Sequence, residues 1–313
     1  IHNSFLLLHD TEDIDALIRT FEKRGFAVYT IFADAEAKLR ERLLAVGPDI
    51  VMTQRHTGLG RPADGGTPIP ATLGVPYFKP ISALHTTVRA WKERPEGLTP
   101  GDLAGQVIAQ ELEGTIEPLV VSAIKTEGES RTHEAIPERM ERLADRAASW
   151  IALRRTPEKD KKIALVYYNT DLGGEALAQG SATGMFLDGP VSLIRTLSAM
   201  KEHGYAVDVP ASPEKLIEQM RAHGRNYGPW AQAEIDAMAA GGHAVLVKVS
   251  DYRRWFAEHL PEETQRQVNE HYGDPPGKLM TTSIHGEPEI VLPRVEVGAG
   301  VWLVPQPEKG GRQ

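Results

Sequence analysis

The segment His223–Ala231, HGRNYGPWA, gathers charged, amide and aromatic side chains in one short predicted loop. Arg225 can pair with a carboxylate through its planar guanidinium group, and Tyr227 can lie against a planar ring. Asn226 adds an amide between these two side chains. Because Gly224 ends the preceding helix, the alternative is an ordinary helix C-cap whose aromatic residues anchor the loop. The pattern therefore indicates either a binding loop for a flat, acidic ligand or a structural cap.

Histidine is the second residue type considered, since imidazole binds metals and exchanges protons near neutral pH. The chain contains 11 histidines, but they are scattered without metal-ligand spacing and no HExxH motif occurs. His56 and His85 stand out because each follows a predicted strand in the first half. His85 is predicted to make a polar contact with a ligand. For both residues the alternative is a hydrogen-bonding role in a surface loop, and no residue is assigned as a metal ligand.

Two glycine-rich segments resemble nucleotide-binding motifs without satisfying them. Gly58, Gly60 and Ala63 fit a dinucleotide fingerprint, but Pro62 and the following DGGTPIP cannot open the helix that binds a pyrophosphate. Gly273–Lys278 is one residue short of a P-loop, and its prolines lack the amides that would cradle phosphate. The chain itself is therefore not expected to hydrolyse ATP.

The stretch Lys161–Gly204 shows what kind of scaffold positions these residues. Ile163–Tyr168 is predicted to be a buried strand, and apolar residues recur along a helix that begins near Pro190. The glycine-rich connection Asp171–Gly189 can approach a ligand closely, although an ordinary mobile connection is the alternative reading. Strand, loop and helix in this order predict the crossover unit of a parallel sheet, whose loops at strand ends usually carry the ligand.

Similar units recur along the whole chain. We predict an α/β fold of two consecutive parallel-sheet domains, flavodoxin-like or binding-protein-like, with a C-terminal β-hairpin. The exposed, charged segment RRTPEKDKK predicts a boundary between domains at residues 1–155 and 161–313. Apolar runs predict further strands at Phe5–Leu8, Ala27–Phe32, Gly74–Pro80 and Tyr205–Val209, and an antiparallel terminal pair at Pro288–Pro293 and Gly300–Val304.

Composition limits the classes of protein to which the chain can belong. A formal net charge of -8 and the lack of a basic run argue against nucleic-acid binding. No apolar stretch is long enough for a membrane span, and the absence of cysteine excludes disulfides and thiolate chemistry. With no signal peptide, a cytoplasmic location is expected. Because the first residue is Ile1, we expect a fragment of a longer protein.

Several segments together resemble the large subunit of cobalt and magnesium chelatases, the CobN/magnesium-chelatase H family. The resemblance covers nearly the whole chain, and its order and spacing are more specific than any single motif. The segments that carry it are SALHTTVRAWKERPEGLTPGDLAGQVIAQELEGTIEPLVVS (Ser82–Ser122), WIALRR, KKIALVYYNT, GRNYGPWA, HYGDPPGKLM and PQP (Pro305–Pro307).

The resemblance implies part of a subunit that holds a tetrapyrrole while a divalent metal, cobalt or magnesium, enters the ring. It also implies AAA+ ATPase partner subunits that bind the ATP. Arg225, Asn226 and Tyr227 are then expected at the ring or its carboxylates, with Asn169 and the 171–189 loop beside them and His85 as a further polar contact. The family's HGTLEWLPGK-type segment lies beyond Gln313, so catalytic residues are expected outside this fragment, which alone is expected to be inactive.

One departure leaves the metal and the ring open. Where family members often carry YNYPPG after the opening strand, this chain has YYNTDLGGEALAQGSATGMFLDGPVSL. That form resembles cobaltochelatase-like proteins, some of which are linked to metal removal from haem. The alternatives are therefore the large subunit of a magnesium chelatase, a haem metal-removal protein, and a non-catalytic module that binds a tetrapyrrole or docks the partner subunits.

Overall fold

The computed structural model describes residues 7–32, 36–54, 67, 69–128, 130–168, 188–228, 230–274, 276, 277 and 280–307. Asn169, His56, the fingerprint residues 58–63 and positions 171–187 of the glycine-rich loop lie outside the described residues. The chain divides into two compact units, Ile1–Arg155 and Thr156–Gln313.

The first unit is a mixed sheet with helices packed on it. Its helices are α1 Glu12–Lys23, α2 Glu36–Val46, α3 Ile69–Leu73, α4 Val88–Glu93, α5 (Pro100–Asp102, a π-helical Leu103–Ile108 and Ala109–Glu111) and α6 Pro137–Arg155. Its strands are β1 Val51–Met52, β2 Tyr77–Thr87, β3 Ile116–Glu127 and β4 Ser130–Ala135. They form a 4-stranded sheet in the order β1-β2-β3-β4.

Pairing in this sheet brings three strand ends to one edge. β1 runs parallel to β2, and β2 runs parallel to β3, whereas β4 returns antiparallel beside β3. The carboxyl ends of β1, β2 and β3 therefore meet at the same edge, where ligands of such sheets usually bind. On one face, Phe78 and Val121 pack with Leu143 of α6 and Phe21 of α1 in a buried cluster.

The helices of the first unit form where apolar residues follow a helical period. In α1, acidic residues fill the first turn and Lys23 lies in the last turn, which suits the helix dipole. Ile14, Leu17 and Phe21 are buried on one side of this helix. Thr99 caps α5 by accepting a hydrogen bond from the backbone amide of Asp102.

The second unit contains two small sheets. Its helices are α7 Gly189–Glu202, α8 Pro213–His223, α9 Gln232–Ala240, α10 Val249–His259 and α11 Glu262–Tyr272, after a 3₁₀ turn at Glu158–Asp160. Its strands are β5 Ile163–Tyr167, β6 Ala244–Lys248, β7 Thr281–Thr282, β8 Glu289–Pro293, β9 Val295–Glu296 and β10 Val301–Pro305. The sheets have the orders β5-β10-β9 and β6-β8-β7.

The prediction of a parallel sheet in the second domain is corrected by these pairings. Among the described strands of this unit, only β5 and β10 run parallel, while β9 pairs antiparallel with β10, and β6 and β7 pair antiparallel with β8. The predicted terminal pair is also wrong, because its two strands, β8 and β10, lie in different sheets. Pro293 ends β8, the Arg294 amide still donates to the carbonyl of His243 at 3.1 Å beside β6, and the chain then enters β9 in the other sheet.

Three other predicted strands differ from the structure. Ala27–Phe32 and Tyr205–Val209 form no strand although both are apolar, because a strand needs a partner that local sequence does not specify. The strand predicted at Gly74–Pro80 is β2, which begins at Tyr77 and continues to Thr87. His85 therefore lies inside this strand instead of following it. Phe5 and Leu6 of the predicted strand Phe5–Leu8 lie outside the described residues, and Leu7 and Leu8 form no strand.

Candidate functional site

His85 lies at the carboxyl end of β2 and is paired with a buried carboxylate. Its Nδ1 is 3.3 Å from Oδ1 of Asp102, whose side chain is 0% exposed, whereas the His85 side chain is 60% exposed. The helix α5 presents Asp102 from its first turn. Because Nδ1 faces Asp102, Nε2 is the ring nitrogen that does not contact this carboxylate.

Asp102 is held by several donors besides His85. Oδ2 accepts a hydrogen bond from the Thr99 hydroxyl at 2.9 Å, and Oδ1 accepts from the Leu84 amide at 3.3 Å and from Nε2 of Gln106 at 3.1 Å. Gln106 also donates to the carbonyl of Ser82 at 2.8 Å, which ties α5 to β2. The carboxylate is therefore fixed in place, and it holds the His85 ring in one orientation.

A polar cleft of about 420 Å³ opens beside this pair at the sheet edge. The cleft is lined by residues at the ends of β2 and β3, at the start of β4, and in and after α4. The lining residues are His85, Thr86, Thr87, Ala90, Arg94, Thr99, Ile124, Thr126 and Arg131. Two guanidinium groups, one imidazole and four hydroxyls in one cleft suit an anion that accepts hydrogen bonds.

A second polar cluster is buried between α1 and the sheet. Asp13 Oδ2 accepts hydrogen bonds from Ser122 at 2.7 Å and from Ser82 at 3.3 Å. Burial raises the pKa of Asp13, while the hydrogen bond from Ser122 opposes that rise. Nearby, Nδ1 of His133 is 2.6 Å from Oδ2 of Asp10, in an environment where both side chains are largely buried. These contacts join α1 to β2, β3 and β4, so their clearest role is to hold the sheet together.

The loop after α8 lies at the carboxyl ends of the parallel strands β5 and β10. Asn226 is 3% exposed, and its Nδ2 donates to the carbonyl of Gln306 at 2.7 Å. The Gln306 amide in turn donates to the Tyr167 carbonyl at 2.8 Å. The hydroxyl of Tyr167 donates to the carbonyl of Gly224. Asn226 therefore anchors the loop to both strand ends.

Arg225 and Tyr227 contact each other on this loop. The guanidinium carbon of Arg225 lies 4.6 Å from the centre of the Tyr227 ring, and the Tyr227 amide approaches the sulfur of Met280 at 3.2 Å. One face of the tyrosine ring is thus covered by the arginine. Trp230, at the end of the same loop, is 76% exposed. The loop presents a stacked cation and an exposed indole ring at the sheet edge.

The structure places the predicted residues at two separate sites. Arg225, Asn226 and Tyr227 are brought together in the second unit, and His85 lies in the cleft of the first unit. Sequence reasoning missed Asp102, Arg94 and Arg131. The sequence TPGD at positions 99–102 is a helix N-cap pattern, which predicts that Asp102 lies in the first turn of a helix. No local sequence signal indicates that Asp102 contacts His85.

Clusters of metal ligands and membrane-spanning helices are both absent from the described part of the chain. No group of three or more His, Cys, Asp or Glu side chains in the described part of the chain is placed to hold a metal ion. In the same residues, no helix has both the length and the apolar character needed to cross a lipid bilayer.

Comparison with known proteins places the chain in a family. The family model described as CobN/Magnesium Chelatase matches residues 1–313. The chain belongs to the CobN/magnesium chelatase family. The catalytic subunit of cobaltochelatase from Mycobacterium tuberculosis has a similar structure, with a TM-score of 0.76 and 27% identity over 98% of this chain and 26% of that chain. This relationship confirms the predicted resemblance and a mixed α/β fold of the cobaltochelatase type.

Relatives in this family carry the names of two different chelatases. The H subunit of a magnesium chelatase from Chlorobaculum parvum is 27% identical over 97% of this chain and 23% of its own length. The CobN protein of an aerobic cobaltochelatase from Sinorhizobium is 28% identical over 85% of this chain and 21% of its own length. The chain therefore spans about a fifth to a quarter of these family members.

Proposed function

We propose that this chain is part of the large, tetrapyrrole-binding subunit of an ATP-dependent chelatase, which inserts a divalent metal into a corrin or porphyrin ring. The family match over the whole chain is the observation that carries this proposal. The metal ion and the ring are both substrates. ATP is expected on AAA+ partner subunits, since the segment Gly273–Lys278 of this chain departs from a P-loop in sequence.

Within this function, the Arg225–Tyr227 loop is proposed to contact the ring. A metal-free ring is flat, apolar on its faces and acidic at its periphery, so it suits an arginine beside exposed aromatic surface. Arg225 would pair with a peripheral carboxylate, while Trp230 offers a ring face for stacking. Asn226 would act indirectly, since its amide nitrogen already holds Gln306. Asn169 is proposed to lie beside this loop.

Two versions of the reaction have specific support. The likeness to a cobaltochelatase catalytic subunit favours cobalt and a corrin ring. The similarity to the H subunit of a magnesium chelatase over nearly the whole chain favours magnesium and a porphyrin as the second candidate. The two candidates differ in the ring that binds, so direct titration with a metal-free corrin and with protoporphyrin separates them.

The experiment measures ring affinity by quenching of tryptophan fluorescence in the 313-residue chain. We expect saturable binding of one of the two rings, and weaker binding by the Arg225→Met protein. Loss of one charge-assisted pair at a half-buried position should weaken affinity roughly tenfold, which corresponds to about 1.4 kcal/mol. The methionine keeps the length of the arginine stem, so the loop retains most of its packing.

The matched control is Arg221→Met, which removes the same charge from an exposed position on α8 in the preceding turn. Its ring affinity should equal that of the unmodified chain. Equal affinities for the Arg225→Met protein and the unmodified chain would remove this loop from the binding site. Failure of every ring to bind, in a chain with an intact circular dichroism spectrum, would overturn the ring-binding role itself.

A further inference from the structure

The cleft beside His85 lies where a parallel sheet normally binds its ligand. His85, Thr86 and Thr87 come from the carboxyl end of β2, and Ile124 and Thr126 come from the carboxyl end of β3. β2 pairs in parallel with β3, with irregular register between Ala83 and Thr87. The irregularity falls just where polar side chains of β2 line the cleft.

Two guanidinium groups line the cleft. They belong to Arg94 and Arg131, which line it together with His85. Two carboxylates lie nearby: Glu96, whose Oε2 is 3.9 Å from Nε of Arg94, and the buried Asp102, which already accepts hydrogen bonds from three donors. Within the described part of the chain, the guanidinium group of Arg131 makes one long hydrogen bond, of 3.5 Å, to the carbonyl of Leu84. The other N–H groups of this guanidinium can therefore donate to a ligand.

The hydroxyl groups and the histidine refine the kind of anion that fits. Thr126 adds a hydroxyl to the lining, while Asp102 lies beside Nδ1 of His85, so Nε2 is the ring nitrogen left for a ligand. A carboxylate accepts two parallel hydrogen bonds from one guanidinium group, and an imidazolium or a hydroxyl can reach its second oxygen. The cleft volume of about 420 Å³ admits a carboxyalkyl arm but is small for a complete tetrapyrrole.

We propose that this cleft is a carboxylate-binding site, in which Arg131 and Arg94 pair with a carboxylate arm of the ring substrate and His85 donates from Nε2. The identification of the arm as part of a tetrapyrrole rests on the proposed function. The carboxylate chemistry of the site does not, because it follows from the residues of the cleft alone. Asp102 is a positioning residue, since it acts through His85.

Two measurements separate the site from the proposed function. In the first, sodium succinate is titrated into the chain while NMR follows the imidazole signals of His85. We expect a saturable shift, which weakens roughly three- to tenfold in the Arg131→Met protein and fades at high salt because the site is open to solvent. The control, Arg89→Met, loses an exposed arginine that is paired with Glu93 on α4, outside the cleft, and should behave like the unmodified chain.

In the second measurement, protoporphyrin IX is compared with its dimethyl ester, which lacks the carboxylates. Tighter binding of the free acid, with the difference reduced in the Arg131→Met protein, supports the ring arm as the ligand. Equal binding of acid and ester overturns that assignment while leaving ring binding intact. Failure of both porphyrins to bind, with a normal succinate titration, contradicts a porphyrin as the ring substrate and retains the carboxylate site.

Inorganic phosphate is the competing anion and is titrated in the same way as succinate. A phosphate shift that saturates at lower concentration than the succinate shift would overturn the carboxylate assignment. His85→Gln and His85→Ala test the contact from His85, since glutamine can still donate a hydrogen bond and alanine cannot. Succinate affinity should fall roughly three- to tenfold in the alanine protein and be largely restored in the glutamine protein, whereas equal affinities in the two variants would exclude a hydrogen bond from His85 to the anion.

Discussion

Lys79 is a lysine in the interior of the first unit, near the start of β2. It is 0% exposed, and its Nζ is 3.5 Å from the carbonyl of Thr53 at the end of β1. Burial lowers the pKa of Lys79 from 10.5 to about 7. Removing an ammonium group from water disfavours its charged form, so the residue is close to half charged at neutral pH.

The lowered pKa of Lys79 predicts a pH-dependent stability. Between pH 7 and pH 10.5 the unfolded chain holds a proton that the folded chain has lost, so stability rises with pH in this window. The slope should approach about 1.4 kcal/mol per pH unit. Lys79→Met removes the group that takes up a proton on unfolding. The free energy of unfolding of this variant should therefore change less with pH between pH 7 and pH 10.5. Urea denaturation at pH 7, 8 and 9 measures the free energy of unfolding of both proteins.

Lys159→Met is the control for this series, because it removes an exposed lysine near the 3₁₀ turn of the second unit. Its pH profile should run parallel to that of the unmodified chain. A constant stability difference between the Lys79→Met protein and the unmodified chain from pH 7 to pH 9 would show that the buried amine keeps an ordinary pKa.

The loop Arg225–Tyr227 shows what residue types can and cannot predict. An arginine beside an aromatic residue suits an acidic, flat ligand, and the structure brings Arg225 and Tyr227 into contact. Asn226 belongs to the same predicted binding loop, but its amide anchors Gln306, a residue 80 positions away. A contact at that separation depends on how β5 and β10 pair, which no local pattern specifies.

Helices were predictable at the scale of single elements because their signals are local. The helix predicted to begin near Pro190 is α7, and Thr99 and Ser212, residue types that favour N-caps, each accept a hydrogen bond from the backbone. Strand positions were often right, but strand partners were not. β8 and β10 follow each other closely in sequence yet belong to different sheets, because β8 pairs with β6 and β7 whereas β10 pairs with β5 and β9, and no local pattern specifies those partners.

Gly224, at the end of α8, leaves no room for a side chain beside β5 and β9. A Cβ atom at this position would overlap the hydroxyl oxygen of Tyr167 and Cγ2 of Val295. Gly224→Ala should therefore lower the free energy of unfolding by about 1–3 kcal/mol, as overpacking of a closed site usually does. Chemical denaturation followed by circular dichroism measures the change.

A double variant identifies the cause of that loss. Tyr167→Phe alone should cost about 1 kcal/mol, because the Gly224 carbonyl loses its buried hydrogen bond. Combined with Gly224→Ala it removes one of the two overlaps, so the double variant should lose less than the two single variants together. The coupling expected for touching residues is roughly 0.5–3 kcal/mol. Additive losses would show that the loop moves away from β5 instead of meeting the tyrosine.

At the scale of the whole molecule, each unit has its own buried core. The cluster around Leu143 draws on α1, α6 and the first sheet, and the cluster around Leu216 draws on α7, α8 and the sheet of β5, β9 and β10. The division falls after Arg155, between α6 and the 3₁₀ turn. Separate cores joined by a charged segment are typical of domains that unfold independently.

We therefore expect two thermal transitions in calorimetry of this chain. Leu143→Ala and Leu216→Ala each truncate a side chain that is 0% exposed, in the first and the second unit respectively. Each should cost about 2–5 kcal/mol and lower the midpoint of one transition by roughly 5–15 °C, leaving the other in place. If either variant shifts both transitions together, or if a single transition fits the two-state enthalpy, the units unfold as one cooperative body.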